Sequence, residues 1–323
     1  MPQTMQAVRR GPIVVIGSVN MDLVCRTQRL PAAGETILGG DLMTIPGGKG
    51  ANQAVAAARL GAKVHLVARV GDDDFGSRLL SGLKRHGVGT RHVTVTEGVS
   101  SGCALILVDA KGENSIVVAP GANHRLTPAD IDAAEGLLAR ASVAVLQLEI
   151  PPRTVDHAIA ACRRLGVFTI LDPAPAPAGG LSREMYRVDL LTPNQHEAVA
   201  LLSRQRMGRL GRTRREDAKQ IGAELLWRGP SCVVMKLGSK GAMVQTRDGL
   251  VEHIRAFKVD VVDTTAAGDA FTGALAVALS EGRSLSEAAV FANAAGALCC
   301  TGFGAQPSLP SRDAVERMLA QGQ

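Results

Sequence analysis

The stretch that decides the fold runs from Val143 to Leu171 and reads VAVLQLEIPPRTVDHAIAACRRLGVFTIL. Its two ends, Val143–Leu148 and Val167–Leu171, are continuous apolar runs with the length of buried strands. Between them lies the Ala-rich amphipathic run Arg153–Leu165, which is typical of a helix, and Gly166 stands where that helix should end. A strand, a helix and a second strand in this order predict one βαβ unit of a parallel sheet.

The same alternation fills most of the 323 residues on either side of that stretch. The other predicted strands are Ile13–Gly17, Val64–Val70, Val188–Leu191 and Cys232–Leu237. The other predicted helices are Ala51–Leu60, Phe75–His86, Pro128–Arg140, Glu216–Arg228, Asp269–Glu281 and Leu285–Cys300. We therefore expect an α/β fold, a three-layer α/β/α sandwich around a mostly parallel central sheet, in one domain that spans residues 1–323.

Two segments, 22–46 and 101–118, contain strand-like runs with no helix between them. In the second segment, Asp109–Gly112 has the composition of a hairpin turn between Cys103–Val108 and Ser115–Val118. Strands without crossover helices predict a small separate sheet inserted beside the main one. Because such a sheet must cover its apolar face, we expect it to face a substrate site, another subunit, or both.

Composition excludes or disfavours several classes of protein. Apolar residues make up 46% of the chain, which excludes intrinsic disorder as its main state. The aromatic residues are only 6 Phe, 1 Tyr and 1 Trp, which disfavours stacking on single-stranded nucleic acid. The six cysteines are scattered through apolar runs without a C-x-x-C pair, so we interpret them as reduced thiols of a cytoplasmic protein. No apolar run reaches the roughly 18 residues that a membrane-spanning helix needs.

The net charge of +6 is concentrated in one segment, Arg204–Arg215, which contains six arginines and no acidic residue. The rest of the chain is neutral, so the charge gives no indication of a basic face over the whole protein. We interpret the segment as a solvated insertion loop. The alternative is a docking patch for an acidic partner or for nucleic acid.

Several common motifs of phosphate-binding and hydrolytic proteins are absent. Lys49 is followed by Gly50, so the sequence has no P-loop of the form G-x-x-x-x-G-K-[ST]. The first predicted strand ends at Gly17, and Ser18, Val19 and Asn20 follow, so a single glycine stands where a G-x-G-x-x-G dinucleotide site needs three. Neither H-E-x-x-H nor G-x-S-x-G occurs, so the zincin and α/β-hydrolase classes lack their key residues.

Two helix starts do carry features of a binding site. Pro46–Gln53 (PGGKGANQ) places glycines, a lysine and an amide before a predicted helix, where a ligand can approach the backbone closely. Val262–Asp269 (VDTTAAGD) places small residues and a carboxylate at the start of another, which combines free N–H groups with a possible base. Asp269 alone is equally well explained as an acidic residue that the helix dipole favours.

With these two stretches, the sequence resembles the ribokinase family of sugar and nucleoside kinases over nearly its whole length. The motifs that carry the resemblance are Gly17–Asp22, Gly47–Ala54, Gly112–Asn114, Gly121–Asn123, Gln147–Glu149, Asp172–Ala176, Thr192–Asn194, Asp263–Asp269 and Gly304–Ser308. The resemblance implies ATP-dependent phosphorylation of D-ribose at its 5-hydroxyl, with Mg²⁺ and an activating K⁺. It also implies that segments 22–46 and 101–118 form a lid over the sugar and that the lids pair in a homodimer. It implies neither a nucleic-acid nor a membrane partner.

The resemblance also implies a role for each matching position. Asp269 corresponds to the general base that deprotonates the sugar hydroxyl, and the backbone N–H groups of Ala266, Ala267 and Gly268 correspond to an anion hole for the transferred phosphoryl group. The positions that match sugar contacts are Asn20, Asp22, Gly48, Lys49, Asn52, Glu149 and Asp269.

On the nucleotide side, Asn194 and Glu197 match the N-x-x-E motif that organises Mg²⁺ and the phosphates, with Glu197 acting through water. The positions that match nucleotide contacts are Asn194, Lys236, Leu237, Gly238, Ser239, Lys240, Gly241, Gly268 and Asn293. The positions that match the K⁺ site are Asp263, Thr265, Cys299, Gly302, Gly304 and Ser308. The sequence departs from the family pattern at Asp172, often Asn in relatives, at Gln195, often an acid, and at Lys236, often Thr.

Other functions stay open at this point. A sibling kinase could act on 2-deoxyribose, on another sugar or on a nucleoside, and a sugar sensor without catalysis could use the same fold. The retention of Asp269, Gly268 and Asn194 disfavours the sensor, because a sensor needs no base. An RNA-binding protein that uses the Arg204–Arg215 segment is disfavoured by the scarcity of aromatic residues.

Overall fold

The computed structural model of the chain describes residues 8–202 and 215–322. Its strands are β1 Ile13–Ile16, β2 Asn20–Arg26, β3 Leu42–Gly47, β4 Val64–Gly71, β5 Gly89–Thr96, β6 Gly102–Val108, β7 Asn114–Ala119, β8 Val143–Leu146, β9 Phe168–Leu171, β10 Leu190–Leu191, β11 Cys232–Lys236, β12 Ala242–Thr246 and β13 Val251–Ile254. Its α-helices are α1 Lys49–Arg59, α2 Asp74–Arg85, α3 Pro128–Ala133, α4 Glu135–Leu138, α5 Pro152–Arg164, α6 Gln195–Leu201, α7 Arg215–Arg228, α8 Ala267–Ser280, α9 Leu285–Cys299, α10 Ala305–Ser308 and α11 Arg312–Gln321.

The main sheet contains nine strands in the order β13-β12-β11-β10-β9-β8-β1-β4-β5. All neighbours from β11 to β5 pair in parallel, and β12 and β13 add an antiparallel hairpin at one edge. The predicted mostly parallel α/β sheet is therefore confirmed. The strand order reverses beside β1, because the chain crosses to β4 on one side and later to β8 on the other. The crevice at such a reversal, outside the carboxyl ends of the strands, is where ligands bind in open α/β sheets.

Helices cover both faces of this sheet because each face carries its own apolar core. On one face, α1, α8 and α9 pack together and against the strands, and the side chains from Ala270 to Leu279 of α8 are buried. On the other face, side chains of α3, α5, α6 and α7 pack against the opposite side of the same strands. The strands are apolar on both sides for this reason, and the Val/Ile-rich runs of the sequence are the result.

The second sheet contains four strands in the order β3-β2-β6-β7, within the predicted segments 22–46 and 101–118 apart from small differences at the ends. β2 pairs antiparallel with β3 and parallel with β6, while β6 and β7 form the predicted hairpin. Apolar side chains of this sheet lie at the surface, with Val117 63% exposed and Leu105 51% exposed. A small sheet with an apolar face, as predicted, therefore stands beside the main one.

One predicted helix is wrong in detail. The run predicted as Pro128–Arg140 is two short helices, α3 and α4, because the chain turns at Ala134. At this turn the amide of Ala134 donates to the carbonyl of Ile131, three residues back, and Gly136 follows it with a low helix propensity. The start of the run is regular, since Thr127 and Asp130 form a capping box.

Several short or peripheral elements were not predicted. They are β5, the hairpin β12–β13, and the helices α6, α10 and α11. The segment Arg204–Arg215 lies outside the described residues except for Arg215, the first residue of α7. Within 8–202 and 215–322, no helix is both long and apolar enough to cross a membrane.

Candidate active site

The candidate site lies at the carboxyl edge of the main sheet. Asn20 follows β1, Glu149 follows β8 and Asp172 follows β9 directly, while Lys236 is the last residue of β11. Because neighbouring parallel strands end at the same edge, segments from most of the chain meet there. The amino ends of α1 and α8, where the two glycine-containing stretches lie, point to the same edge and supply the remaining groups.

Asp269 lies in the first turn of α8 and is buried, with 5% of its surface exposed. Its two carboxylate oxygens each accept a hydrogen bond from α1: Oδ2 from Nδ2 of Asn52 at 2.9 Å and Oδ1 from Nε2 of Gln53 at 3.0 Å. Burial raises the pKa of Asp269, and the nearby positive charge of Lys49 opposes that rise. The carboxylate is therefore held in one orientation, in surroundings that make it more basic than an exposed aspartate.

The turn before Asp269 has an unusual backbone. Ala266 has a φ angle of 60°, the left-handed region, which a residue with a Cβ adopts only at a cost of roughly 1–2 kcal/mol. This conformation starts α8 at Ala267, and Gly268 follows in its first turn. The N–H of Ala267 donates to the carbonyl of Thr264 at 3.2 Å, so it is not free in this structure. The other first N–H groups of the helix have no partner within the helix, so this turn is able to bind an anion.

The start of α1 lies in close contact with the segment after β1. A Cβ atom at Gly48 would lie 2.6 Å from the backbone nitrogen of Asn20, and one at Gly50 would lie 2.6 Å from the carbonyl carbon of Gly17. Gly48 also has a φ angle of 87°, which glycine alone adopts without strain. Glycine at these two positions lets the backbones touch, and this contact fixes where Lys49 and Asn52 lie.

Glu149 ties the two segments together. Its Oε2 accepts hydrogen bonds from the backbone N–H of Lys49 at 3.0 Å and from the hydroxyl of Ser18 at 2.5 Å. Asn20 has a partner on its other side, because its Oδ1 accepts from Nδ2 of Asn123 at 2.7 Å. The amide oxygen of Asn52 is buried without a hydrogen-bond partner. A buried acceptor of this kind is costly unless a ligand donates to it, as a sugar hydroxyl does.

The charged groups of this pocket affect one another. Burial, followed by the negative charges of Glu149 and Asp269, raises the pKa of Asp22 to about 7. Burial by itself would lower the pKa of Lys49, but the surrounding carboxylates, first among them that of Asp269, raise this pKa above its usual range. Lys49 is therefore a permanent cation between acids, while Asp22 is half-ionised near neutral pH.

A cavity of about 730 Å³ opens on the other side of Gly268. The nucleotide-loop positions that line it are Lys236, Gly238, Ser239, Lys240 and Gly241, and Asn293 lines it from α9. Leu237 belongs to the same loop but points into the core. Apolar walls come from Phe257, Phe271 and Ala297, which sequence reasoning missed because apolar residues in helices and loops give no motif.

Asn194 and Glu197 form a capping box at the start of α6. The Oδ1 of Asn194 accepts from the backbone N–H of Glu197 at 2.8 Å, and Oε2 of Glu197 accepts from the backbone N–H of Asn194 at 2.7 Å. Burial raises the pKa of Glu197, and the positive charge of Lys236 opposes that rise. The N-x-x-E spacing is thus also explained by a helix cap. This cap places the carboxylate of Glu197 near Lys236 of β11.

The six positions matched to a cation site lie together. The carboxylate of Asp263 accepts from the backbone N–H of Thr265 at 2.9 Å and from that of Gly304 at 2.9 Å. The thiol of Cys299 contacts the hydroxyl of Ser308 at 3.1 Å, and a Cβ atom at Gly302 would lie 3.0 Å from Cβ of Ser308. In the described part of the chain, no three His, Cys, Asp or Glu side chains are arranged to hold a metal ion by themselves.

Sequence reasoning missed two residues that hold the site together. Gln53 belongs to the quoted stretch of α1, and its Nε2 donates both to Asp269 and to Oδ2 of Asp172, each at 3.0 Å. Gln147 supports Gln53 from behind, since its Nε2 donates to Oε1 of Gln53 at 2.6 Å. The adjacency of Gln53 to Asn52 was the available signal.

Comparison with known proteins places the chain among kinases of small sugars. The family model described as pfkB family carbohydrate kinase matches residues 11–312. The ribokinase of Bacillus subtilis (strain 168) is 42% identical over 310 residues, which cover 95% of this chain and 99% of that protein. The deoxyribokinase of Salmonella typhimurium is 36% identical over 308 residues, which cover 95% and 98%. The structure of Arabidopsis thaliana ribokinase complexed with ribose and ATP superimposes with a TM-score of 0.85 at 33% identity, covering 96% of this chain and 99% of that one.

Proposed function

The chain belongs to the pfkB family of carbohydrate kinases, and from this premise we propose that it transfers the γ-phosphoryl group of ATP to the 5-hydroxyl of D-ribose. The observation that carries the proposal is the position of Asp269. Its buried carboxylate stands between a pocket of hydroxyl-binding groups and a cavity large enough for a nucleotide.

The sugar pocket has the chemistry that a polyol requires. Ribose carries only hydroxyl groups, so its pocket must pair donors with acceptors. Asn20, Asp22 and Asn52 supply amides and a carboxylate, with Gly48, Lys49 and Glu149 at the adjoining backbone contact. The buried Asn52 oxygen without a partner supports this assignment, because a hydroxyl would satisfy it.

In the proposed reaction, Asp269 accepts the proton of the attacking hydroxyl. The sugar oxygen forms a bond to the γ-phosphorus while the bond from that phosphorus to the bridging oxygen of ADP breaks. In a loose transition state little negative charge develops on the attacking oxygen, so a carboxylate is a sufficient base. In this proposal the N–H groups of Ala266 and Gly268 stabilise the charge of the transferred group, and that of Ala267, which donates to the carbonyl of Thr264 at 3.2 Å, lies in the same turn.

Mg²⁺ is the divalent ion that we propose for the phosphates. Mg²⁺ keeps several waters and takes one or two carboxylates together with phosphate oxygens, so it needs no cage of three acids. Glu197 fits this requirement, because it is a partly buried carboxylate that lies near the lysine at the edge of the cavity. Bound there, the ion would neutralise phosphate charge.

K⁺ is the monovalent ion that we propose for the loop around Asp263. The hydrogen bonds of Asp263 hold Thr265 and Gly304 together, and Cys299 lies against Ser308 and near the carbonyl of Thr265. Oxygen donors from one carboxylate, one hydroxyl and several carbonyls suit a large monovalent cation. Because this loop leads directly into the turn at Ala266, a bound cation would stabilise that turn.

We also propose a cytoplasmic homodimer that associates through the second sheet. The exposed apolar side chains of β6 and β7 support the contact, since a bare edge and an apolar face of this kind require a cover. The six free thiols of the chain suit a reducing compartment.

The decisive experiment measures ADP release from MgATP with ribose, 2-deoxyribose, fructose and adenosine, with and without K⁺. We expect the highest kcat/KM with ribose. The deoxyribokinase relative makes 2-deoxyribose the second candidate, and a higher kcat/KM on that sugar would replace ribose as the substrate. Binding of ribose without any ADP release would instead identify a sensor.

A further inference from the structure

Lys236 and Asp172 form an ion pair between the ends of β11 and β9. The Nζ of Lys236 lies 2.8 Å from Oδ1 of Asp172. The Asp172 side chain is 2% exposed and the Lys236 side chain is 13% exposed. The carboxylate is thus closed off from any ligand, whereas the ammonium group can be reached.

The ammonium group of Lys236 lies beside the turn that we propose to bind the transferred phosphoryl group. Lys236 lines the 730 Å³ cavity, and its Nζ lies 3.5 Å from the position that a Cβ atom at Gly268 would occupy. Its backbone is bridged to that of Asn194, so it also adjoins the start of α6. The ammonium therefore lies where the cavity meets the turn that opens α8.

Asp172 is held in one orientation by both of its oxygens. Oδ1 accepts from Lys236, while Oδ2 accepts from Nε2 of Gln53 at 3.0 Å and from the hydroxyl of Thr272 at 3.3 Å. Through Gln53 the same network reaches Asp269. The ammonium of Lys236 is thereby positioned relative to the carboxylate that we propose as the base.

The contribution of this ion pair to the stability of the fold does not explain its presence. Removing two charges from water costs about as much as their attraction returns, so a buried ion pair is weakly favourable at best compared with a neutral pair of similar size. A pair that adds little stability but places a cation at the edge of the cavity, beside Gly268, indicates a role in the reaction.

Resting on the proposed function, we propose that Lys236 is a further catalytic residue whose ammonium group contacts the transferred phosphoryl group, and that Asp172 is its positioning residue. Lys236 keeps its proton throughout. The proton of the sugar hydroxyl goes to Asp269, and ADP leaves with the bridging oxygen. The ammonium stabilises charge on the equatorial oxygens of the phosphoryl group during transfer.

The first test compares wild type with Lys236→Met, which keeps the length of the side chain and removes its charge. We expect kcat with ribose to fall about 10²-fold to 10³-fold, the loss seen when one charge-stabilising donor is removed. Affinity for ADP alone should change less than about threefold. In wild type, Mg²⁺ and aluminium fluoride should increase the affinity for ADP, because aluminium fluoride mimics the transferred phosphoryl group. Lys236→Met should lose this increase. Thermal unfolding of each variant shows whether a loss reflects folding.

The second test is a double-mutant cycle with Asp172→Asn, Lys236→Thr and both together. If Asp172 acts through Lys236, Asp172→Asn lowers kcat about tenfold in the wild type and has no further effect once Lys236 is Thr. A role in folding alone predicts a lower melting temperature with an unchanged kcat for each variant. Equal losses from Asp172→Asn in both backgrounds would contradict the positioning role.

The two readouts separate this proposal from the proposed function. Suppose that wild type turns over ribose, and that Lys236→Met keeps this turnover within threefold and also keeps the gain in ADP affinity from aluminium fluoride. This result overturns the role of Lys236 and leaves the proposed function standing. If wild type turns over another sugar instead, and Lys236→Met abolishes that turnover, ribose is overturned as the substrate and the catalytic role of Lys236 is supported. A wild type with neither turnover nor an aluminium fluoride gain overturns both.

Discussion

The Nδ2 of Asn52 donates to Oδ2 of Asp269 at 2.9 Å across a separation of 217 residues in the sequence. The contact joins the first turns of α1 and α8, one at the proposed sugar pocket and the other at the proposed anion-binding turn. Each half of the candidate site thus depends on a helix from the opposite end of the chain.

Replacing Asp269 by Asn should remove the proposed base while keeping the size of the side chain. We expect kcat with ribose to fall about 10³-fold, within the range for loss of a general base. Ribose affinity, measured by calorimetry, should fall much less than kcat, although the Asn amide accepts from only one of Asn52 and Gln53 and presents its NH2 group to the other. A kcat within tenfold of wild type would assign the base elsewhere.

Replacing Asn52 by Ala should affect the sugar more than the nucleotide. The change removes the unpartnered oxygen and leaves one oxygen of Asp269 without its donor. Loss of such buried hydrogen bonds costs roughly 1–3 kcal/mol, which corresponds to an increase in ribose KM of about 5-fold to 150-fold. ATP KM serves as the internal control, and an equal rise in both constants would contradict a sugar-specific role.

The pH dependence of ribose binding should follow Asp22. Its pKa is raised to about 7, so the carboxylate that we propose as an acceptor of sugar hydroxyls is fully formed only above neutral pH. We expect ribose affinity to rise from pH 6 to pH 8, and Asp22→Asn should flatten that rise while weakening binding. A profile that keeps its slope in Asp22→Asn would assign it to another group.

The same shift predicts how stability depends on pH. A carboxyl whose folded pKa is raised contributes stability that is complete below its ordinary pKa of 3.8 and is lost as pH rises through about 7. Without ribose, the stability of wild type relative to Asp22→Asn should therefore fall between pH 4 and pH 7. Urea unfolding of both proteins at several pH values measures this difference.

Replacing Gly48 by Ala tests the close contact between α1 and the segment after β1. Gly48 has a φ angle of 87°, and the added Cβ would lie 2.6 Å from the nitrogen of Asn20. Gly87 is a matched control, because its φ angle is 77° but nothing lies within 4 Å of an added Cβ. Gly87→Ala should cost about 1 kcal/mol from strain, while Gly48→Ala should cost about 1–3 kcal/mol more and raise ribose KM. Equal effects would indicate that the contact does not position the site.

Replacing Val117 by Asp tests association through the second sheet. Val117 lies opposite Leu105 on β6, and both are exposed. A charge in an apolar interface should convert a dimer into a monomer at micromolar concentration in sedimentation experiments. Leu250→Asp, at another exposed apolar position, is the control and should leave the dimer intact. Wild type that sediments as a monomer would refute this contact.

The alternation of strands and helices was readable from the sequence because a parallel sheet covered on both faces produces continuous apolar runs. The strand β5 was not predicted, because it lacks such a continuous apolar run. At the edge of the sheet its only buried residue is Val93, and Arg91 and His92 interrupt its apolar pattern. The two-residue strand β10 illustrates another limit, since half of the strand predicted as Val188–Leu191 lies outside it.

The site was readable where its residues lie in short glycine-containing stretches, as Lys49, Asn52 and Asp269 do. The ion pair of Asp172 and Lys236 was not, because 64 residues separate two side chains that only the strand order brings together. Burial was equally hidden, and it is burial that makes Asp22 basic. Local sequence indicates which groups are available, while the order of the strands decides which of them meet.

The gathering of groups at one edge of the sheet has a consequence for synthesis of the protein. Ribosomes release the chain from its amino end, and the carboxylate of Asp269 emerges long after Asn20, Lys49 and Glu149. Until α8 has packed against α1, the segments already released cannot form the pocket around that carboxylate. Ligand binding therefore requires completed folding. A bound sugar stabilises the finished protein against global unfolding, but it does not stabilise any shorter nascent chain.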